Sequence, residues 1–147
     1  MPWRPLERFA DREVPKLANL RRAARAGLRV PPTWWLPAAE VAEAVRLAPP
    51  APECGPWVVR SASPTEDRES ASQAGRALSL EVPGDDLVGF RAAVAEVAAS
   101  LPRDAGGAPR GAVFTQPFQP GPAGVALFDG FYWERTGAAA GGAPRTA

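Results

Sequence analysis

The amino-acid sequence predicts an α+β domain in which three helices flank a mixed, mostly antiparallel sheet. Three observations carry this. Helical patterns occupy residues 15–27, 37–47 and 87–101, and short apolar or alternating runs occupy 57–59, 78–82, 112–118 and 125–128. Proline- and glycine-rich connectors separate these segments, as expected from 18 prolines and 14 glycines. A chain of 147 residues has room for one domain, and folding at this size buries about two-thirds of the unfolded surface.

Pro15 suits the first position of a helix, because its missing N–H has no partner there in any case. Leu17, Leu20, Ala24 and Leu28 then recur at helical spacing, and Gly27 offers a stop. Arg21, Arg22, Arg25 and Arg29 surround the end of this helix, where cations complement the dipole; they read as a solvated face, with an anion site as the alternative. Residues 28–36 read as an extended segment in which Trp34 and Trp35 pack, followed by a second helix over 37–47. Pro49, Pro50 and Pro52 make residues 48–52 a connector, since proline cannot donate to a helix or a central strand. Trp57, Val58 and Val59 form a buried strand that delivers Arg60 to its end. Leu78, Leu80 and Val82 alternate with polar or small residues as in a half-buried strand. Asp85 or Asp86 is placed to cap a helix whose apolar face holds Leu87, Phe90, Val94, Val97 and Leu101. The turn at Pro120, Gly121 and Pro122 predicts a hairpin between strands 112–118 and 125–128, and Phe131, Tyr132 and Trp133 could extend that sheet. The domain is expected over residues 1–136, with a mobile tail over 137–147 that has too little apolar content to pack.

Composition excludes several kinds of chemistry. The chain has no histidine, which removes Ser-His and Cys-His couples, histidine-ligated metals and a phosphohistidine on this chain. Cys54 is the only cysteine, so neither an internal disulfide nor a multi-cysteine metal site can form; it reads as a structural or loop thiol. A net charge of +1 gives no chain-wide field for nucleic acid or an anionic membrane. No apolar run approaches the ~20 residues of a membrane span, and no signal-peptide core follows the first residues. The expectation is a cytoplasmic protein. Lys16 is the only lysine among many arginines. It is either a surviving surface residue or one kept because a compact ammonium differs from a planar guanidinium.

The chemistry concentrates after the strand at 57–59. Arg60 is followed by Ser61, Ser63, Thr65, Ser70 and Ser72, interleaved with Ala71, Ala74 and Gly75. A guanidinium beside hydroxyl and backbone donors suits phosphate oxygens, and small residues let backbone N–H groups approach an anion. Glu66, Asp67 and Glu69 would repel a polyphosphate unless they pair with Arg68 or Arg76 or stand near a magnesium ion. On the residues alone, an exposed serine-rich loop without a ligand remains the other reading.

The segment Val59-Arg60-Ser61-Ala62-Ser63-Pro64-Thr65-Glu66-Asp67, continued by Ser70-Ala71-Ser72-Gln73-Ala74-Gly75, resembles the "VRSSATAED…ASFAGQ" signature of phosphoenolpyruvate synthases, pyruvate phosphate dikinases and rifampicin phosphotransferases. Lys16-Leu17-Ala18-Asn19-Leu20, followed by Ala26-Gly27-Leu28-Arg29-Val30-Pro31-Pro32, is similar to that family's "GGKAANL…AGLPVPPGF". Gln116-Pro117-Phe118 and Ala123-Gly124-Val125-Ala126-Leu127-Phe128 resemble its "VQxMV…AGVLFT" strands. The three matches occur in the family's order.

The resemblance implies the N-terminal part of an ATP-grasp-type nucleotide-binding domain, with ATP and magnesium as cofactors. It implies that Lys16, Arg60 and Ser61 lie at the ATP phosphates, that Ala71, Ser72 and Gly75 belong to the loop covering them, and that Gln116 lies near the adenine. The sequence departs from the pattern where Val14-Pro15 stands for the paired glycines and Gln73 for a phenylalanine. Neither the family's acidic metal ligand nor its Gln-x-Arg strand is found. The resemblance therefore implies a partner chain or a C-terminal region that supplies the magnesium ligands and the phosphohistidine. The expected function is the ATP-binding portion of a phosphotransferase; a non-catalytic remnant or regulatory module that binds a partner is the alternative, and an unrelated small structural domain is the third reading.

Overall fold

The computed structural model describes residues 2–10, 14–43, 47–65, 78–118, 123–127, 132–136 and 145–146. Within them the chain forms an α+β fold built on a five-stranded antiparallel sheet. Its strands are β1 (Arg4–Pro5), β2 (Trp34–Pro37), β3 (Trp57–Ala62), β4 (Ser79–Val82) and β5 (Ala112–Pro117), in the order β1-β2-β5-β3-β4. Two α-helices are described, α1 (Pro15–Arg25) and α2 (Leu87–Ser100).

Strand β5 occupies the centre. It pairs with β2 from Trp34↔Thr115 to Pro37↔Ala112, and with β3 from Trp57↔Pro117 to Ala62↔Ala112. Opposed residues in such a ladder share a face, so the register sorts the side chains. One face carries Trp34, Leu36, Trp57, Val59, Leu80, Val82 and Val113, and α2 covers it with Phe90, Ala93, Val94 and Val97. Trp57 lies at the middle of this core, edge-on to Trp34 at 5.8 Å and to Phe90 at 6.2 Å between ring centroids. Asp86 starts α2 by accepting the Gly89 N–H at 2.8 Å.

The opposite face is only partly covered. Helix α1 lays Leu17 over Ala62, Ala112 and Phe114, together with Leu6, Phe9 and Val14. Val14, where the resembled family has glycine, is 2% exposed and packs in this layer, while Pro15 takes the first helical position. Helix α1 ends as a glycine stop requires: Gly27 has φ +85°, its N–H reaches Ala24 O, and the Leu28 N–H reaches Ala23 O. Trp35, on the same face, meets Phe9 edge-on at 5.0 Å and supports the Arg4 guanidinium at 5.2 Å. Trp34 and Trp35 thus pack as expected, on opposite sides of the sheet.

Three expectations are corrected. The second helix, placed over residues 37–47, is a 3-10 segment over Ala38–Glu43 with Pro37 taken by β2, and residues 44–46 lie outside the described residues. All described strand pairs are antiparallel, so the sheet is not mixed. The hairpin between β5 and the next strand does not form: β6 (Ala123–Leu127) pairs with β7 (Tyr132–Thr136), which pairs with β8 (Arg145–Thr146). Both edges of β5 are already occupied by β2 and β3, which leaves no donor or acceptor row for β6. Within the expected tail, residues 145–146 form β8, and 137–144 and 147 lie outside the described residues.

Gly111 turns the chain into β5 at φ +102°, and a Cβ there would collide with the Ala62 carbonyl oxygen. Gly111→Ala is expected to lower stability by at least about 2 kcal/mol through backbone strain and this collision, read as a lower urea midpoint with an unchanged slope.

Candidate functional site

The uncovered part of the sheet's second face is an open cleft of about 350 Å³ lined by Pro31, Val58, Arg60, Ser79, Glu81, Gln116, Pro117 and Phe118. That volume lies within the range of small-molecule sites. Its floor follows from strand alternation. Val58, Arg60 and Ala62 face away from α2, as do Phe114 and Gln116 on β5 and Ser79 and Glu81 on β4. Two of the sequence-predicted residues, Arg60 and Gln116, therefore share one surface although 56 positions separate them.

Arg60 is half-buried, and its guanidinium carbon stands 5.6 Å from the centre of the Phe114 ring, directly across the ladder. Among the described residues its side chain makes no hydrogen bond or ion pair. A guanidinium with its donors unspent in a cleft is a receptor for carboxylate or phosphate oxygens.

Gln116 is 6% exposed and is fixed by a relay: its Nε2 donates to Thr33 Oγ1 at 2.9 Å, and the Thr33 hydroxyl donates to Pro31 O at 2.8 Å. Thr33 has one proton, already committed to Pro31, so it can only accept from Gln116. That requirement sets which end of the Gln116 amide faces Thr33.

Lys16 lies in the first turn of α1, where a cation opposes the helix dipole unless another group uses its charge. Its Nζ donates to the Ser61 carbonyl at 3.2 Å, tying α1 to the end of β3 next to Arg60. Ser61 is turned away from the cleft. It shares the side of Trp57 and Val59, is 2% exposed, and its Oγ accepts the Leu78 N–H at 3.1 Å. Ser63 likewise bonds locally, its Oγ accepting the Thr65 N–H at 3.0 Å and lying 2.9 Å from Thr65 Oγ1. Ala71, Ser72 and Gly75 lie outside the described residues, as do Glu66, Asp67, Glu69, Arg68 and Arg76.

A second hollow, of about 460 Å³, lies between Phe9 and α1 and is bordered by Arg21, Arg22 and Arg25. Ala18 and Asn19 of the first motif line it, but Lys16, Arg60 and Gln116 do not. No helix among the described residues is long and apolar enough to cross a membrane. Among them, no three His, Cys, Asp or Glu side chains come together in a metal-binding group. Cys54 is exposed in a short 3-10 turn.

Comparison with protein-family models, with curated proteins and with solved structures finds no match to this chain.

Sequence reading missed Glu81 and Phe114 as companions of Arg60, and Thr33 as the partner of Gln116. The signal for Phe114 was present, since it stands two residues before Gln116 and so shares its face. Thr33 carries no such signal, because its contact with Gln116 spans 83 positions. Thr33→Val is expected to cost about 1–3 kcal/mol by stranding the buried Gln116 amide, whereas Thr33→Ser should retain most of the stability. Paired thermal or urea unfolding curves check both.

Proposed function

We propose that this chain is the ATP-binding portion of a phosphoenolpyruvate synthase-like phosphotransferase, with the polyphosphate lying in the cleft at Arg60. The observation that carries the reading is the convergence of three separate motifs. Arg60 and Gln116 line one open cleft, and Lys16 is anchored to the carbonyl beside Arg60. Arg60 supplies a fork of donors to phosphate oxygens, and Gln116 lies farther along the same face, at the opposite end of the β3–β5 ladder from Ala62. Lys16 and Arg60 would together offset polyphosphate charge, the main requirement of phosphoryl transfer.

Arg60, Gln116 and Lys16 fit ATP as donors. Magnesium is a different matter: among the described residues no three His, Cys, Asp or Glu side chains come together in a metal-binding group. In this reading its ligands, like the phosphohistidine acceptor, belong to a partner chain or a further region, and the described residues bind and orient the nucleotide. The packed Val14–Pro15 pair, standing where the resembled family has two glycines before its lysine, favours a second reading, in which this portion binds nucleotide and docks to a partner without transferring phosphoryl itself.

Titration of Mg-ATP against the whole chain tests the proposal. Arg60→Ala is expected to weaken binding by about 10- to 100-fold, the value of one or two charge-assisted hydrogen bonds, with a shallower salt dependence than the wild type. Equal affinity for the two proteins would remove the phosphate site. Activity gained only on adding a histidine-bearing partner would separate the phosphotransferase from the binding module.

A further inference from the structure

Arg60 has two neighbours of opposite character on the same face of the sheet. Across β3 on one side, Phe114 of β5 is its direct partner in the ladder; on the other side, β4 places Ser79 opposite it and Glu81 opposite Val58. Glu81 is thus the diagonal neighbour of Arg60, roughly 7–8 Å away between backbones and within the reach of an arginine side chain. Both line the cleft. An exposed carboxylate so placed would ordinarily attract the guanidinium.

The guanidinium does not take that option. It lies over the Phe114 ring, and Arg60 makes no ion pair among the described residues. The two alternatives are close in strength, because a cation over an aromatic face and a solvent-screened ion pair each contribute a similar, small amount. A small bias therefore decides where the charge sits. Phe114 is well suited to supply it: it is fully buried, and Leu17, Ala62 and Ala112 lock its ring in the layer beneath α1. A fixed ring costs no ordering when the guanidinium settles on it, whereas pairing with exposed Glu81 orders two long side chains.

We propose that Phe114 is a positioning residue that holds the Arg60 guanidinium away from Glu81, so that the cleft presents an unneutralised cation to a phosphate group. The inference rests on the phosphate-binding reading of the cleft and adds a condition to it. An arginine paired with Glu81 would have to break that pair before accepting an anion, whereas an arginine on Phe114 keeps its N–H edges available. Phe114 itself does not touch the ligand.

Two measurements on the full chain test this. In the ligand-free protein, the Arg60 side-chain δ protons should show an upfield ring-current shift by NMR that disappears in Phe114→Leu. Titration with inorganic tripolyphosphate should show Phe114→Leu binding about 3- to 10-fold more weakly than wild type, corresponding to the loss of a cation–aromatic contact. Glu81→Gln should then recover most of that loss in the Phe114→Leu background, and should help markedly less in the wild type. An equal gain in both backgrounds would mean that Glu81 acts only as a general repulsive charge, and would overturn the proposal. So would a loss in Phe114→Leu that Glu81→Gln leaves untouched, since that is the signature of a packing defect. Should leucine prevent folding, Phe114→Met takes its place in the same cycle. Failure of the wild type to bind tripolyphosphate would sink the phosphate-site reading and this inference with it. A wild type that binds but lacks the ring-current shift would sink the role of Phe114 alone.

Discussion

Strand β5 is the constraint on which the rest of the structure depends. Its residues Ala112 to Gln116 are all buried, and its two edges are saturated by β2 and β3. Because its side chains alternate, β5 sends Val113 into the core beneath α2 and Phe114 into the layer beneath α1. The same alternation carries Gln116 past the end of that second layer into the open cleft. A one-residue slip would exchange the two sets, turning Phe114 and Gln116 toward the α2 core and Val113 toward the α1 layer, so burial on both faces enforces the register. The direction of Arg60 is inherited from it through the Arg60↔Phe114 pair.

The cleft exists because the two faces are covered unequally. Helix α2 spans 14 residues and buries Phe90, Ala93, Val94 and Val97 against one face, whereas α1 has 11 residues and a single fully buried side chain, Leu17. The short helix cannot shield the whole second face, and what it leaves uncovered is polar at Arg60, Ser79 and Glu81, with the buried Gln116 amide at the margin held by Thr33. Polar side chains on an uncovered face cost little, since water or a ligand can satisfy them. The Thr33 relay and the Lys16 bond to Ser61 then stiffen two sides of this surface at contacts linking distant parts of the chain.

The elements that were legible were those with strong local signals. Helix α2 was written in its apolar stripe and its Asp86 cap, and α1 in Pro15 and Gly27, although Leu87 and Leu28, expected on those apolar faces, are exposed. Strand β3 was visible in Trp57, Val58 and Val59, but three apolar residues in a row conceal which face is which, so Ser61 was grouped with Arg60 on proximity. Alternation separates them: Ser61 satisfies the Leu78 N–H, and Arg60 enters the cleft. The segment after Pro37 has residues acceptable to a helix, yet ladder pairing with β5 takes Pro37 and what remains is a 3-10 segment. The hairpin expectation failed for a reason outside the local sequence, since the free edge it needed was already used by β3.

By itself the sequence determined the α+β class, two of the three helices expected from it and the chemistry that a site could draw on, because periodicity, caps and the absence of histidine are local or compositional properties. It also singled out Lys16, Arg60 and Gln116. Only the tertiary structure decided that Arg60 and Gln116 share a surface, that Ser61 does not, and that Arg60 settles on Phe114 rather than on Glu81. Those outcomes depend on strand order and register, which are set by burying two faces of one sheet at once, and no window along the chain contains that information.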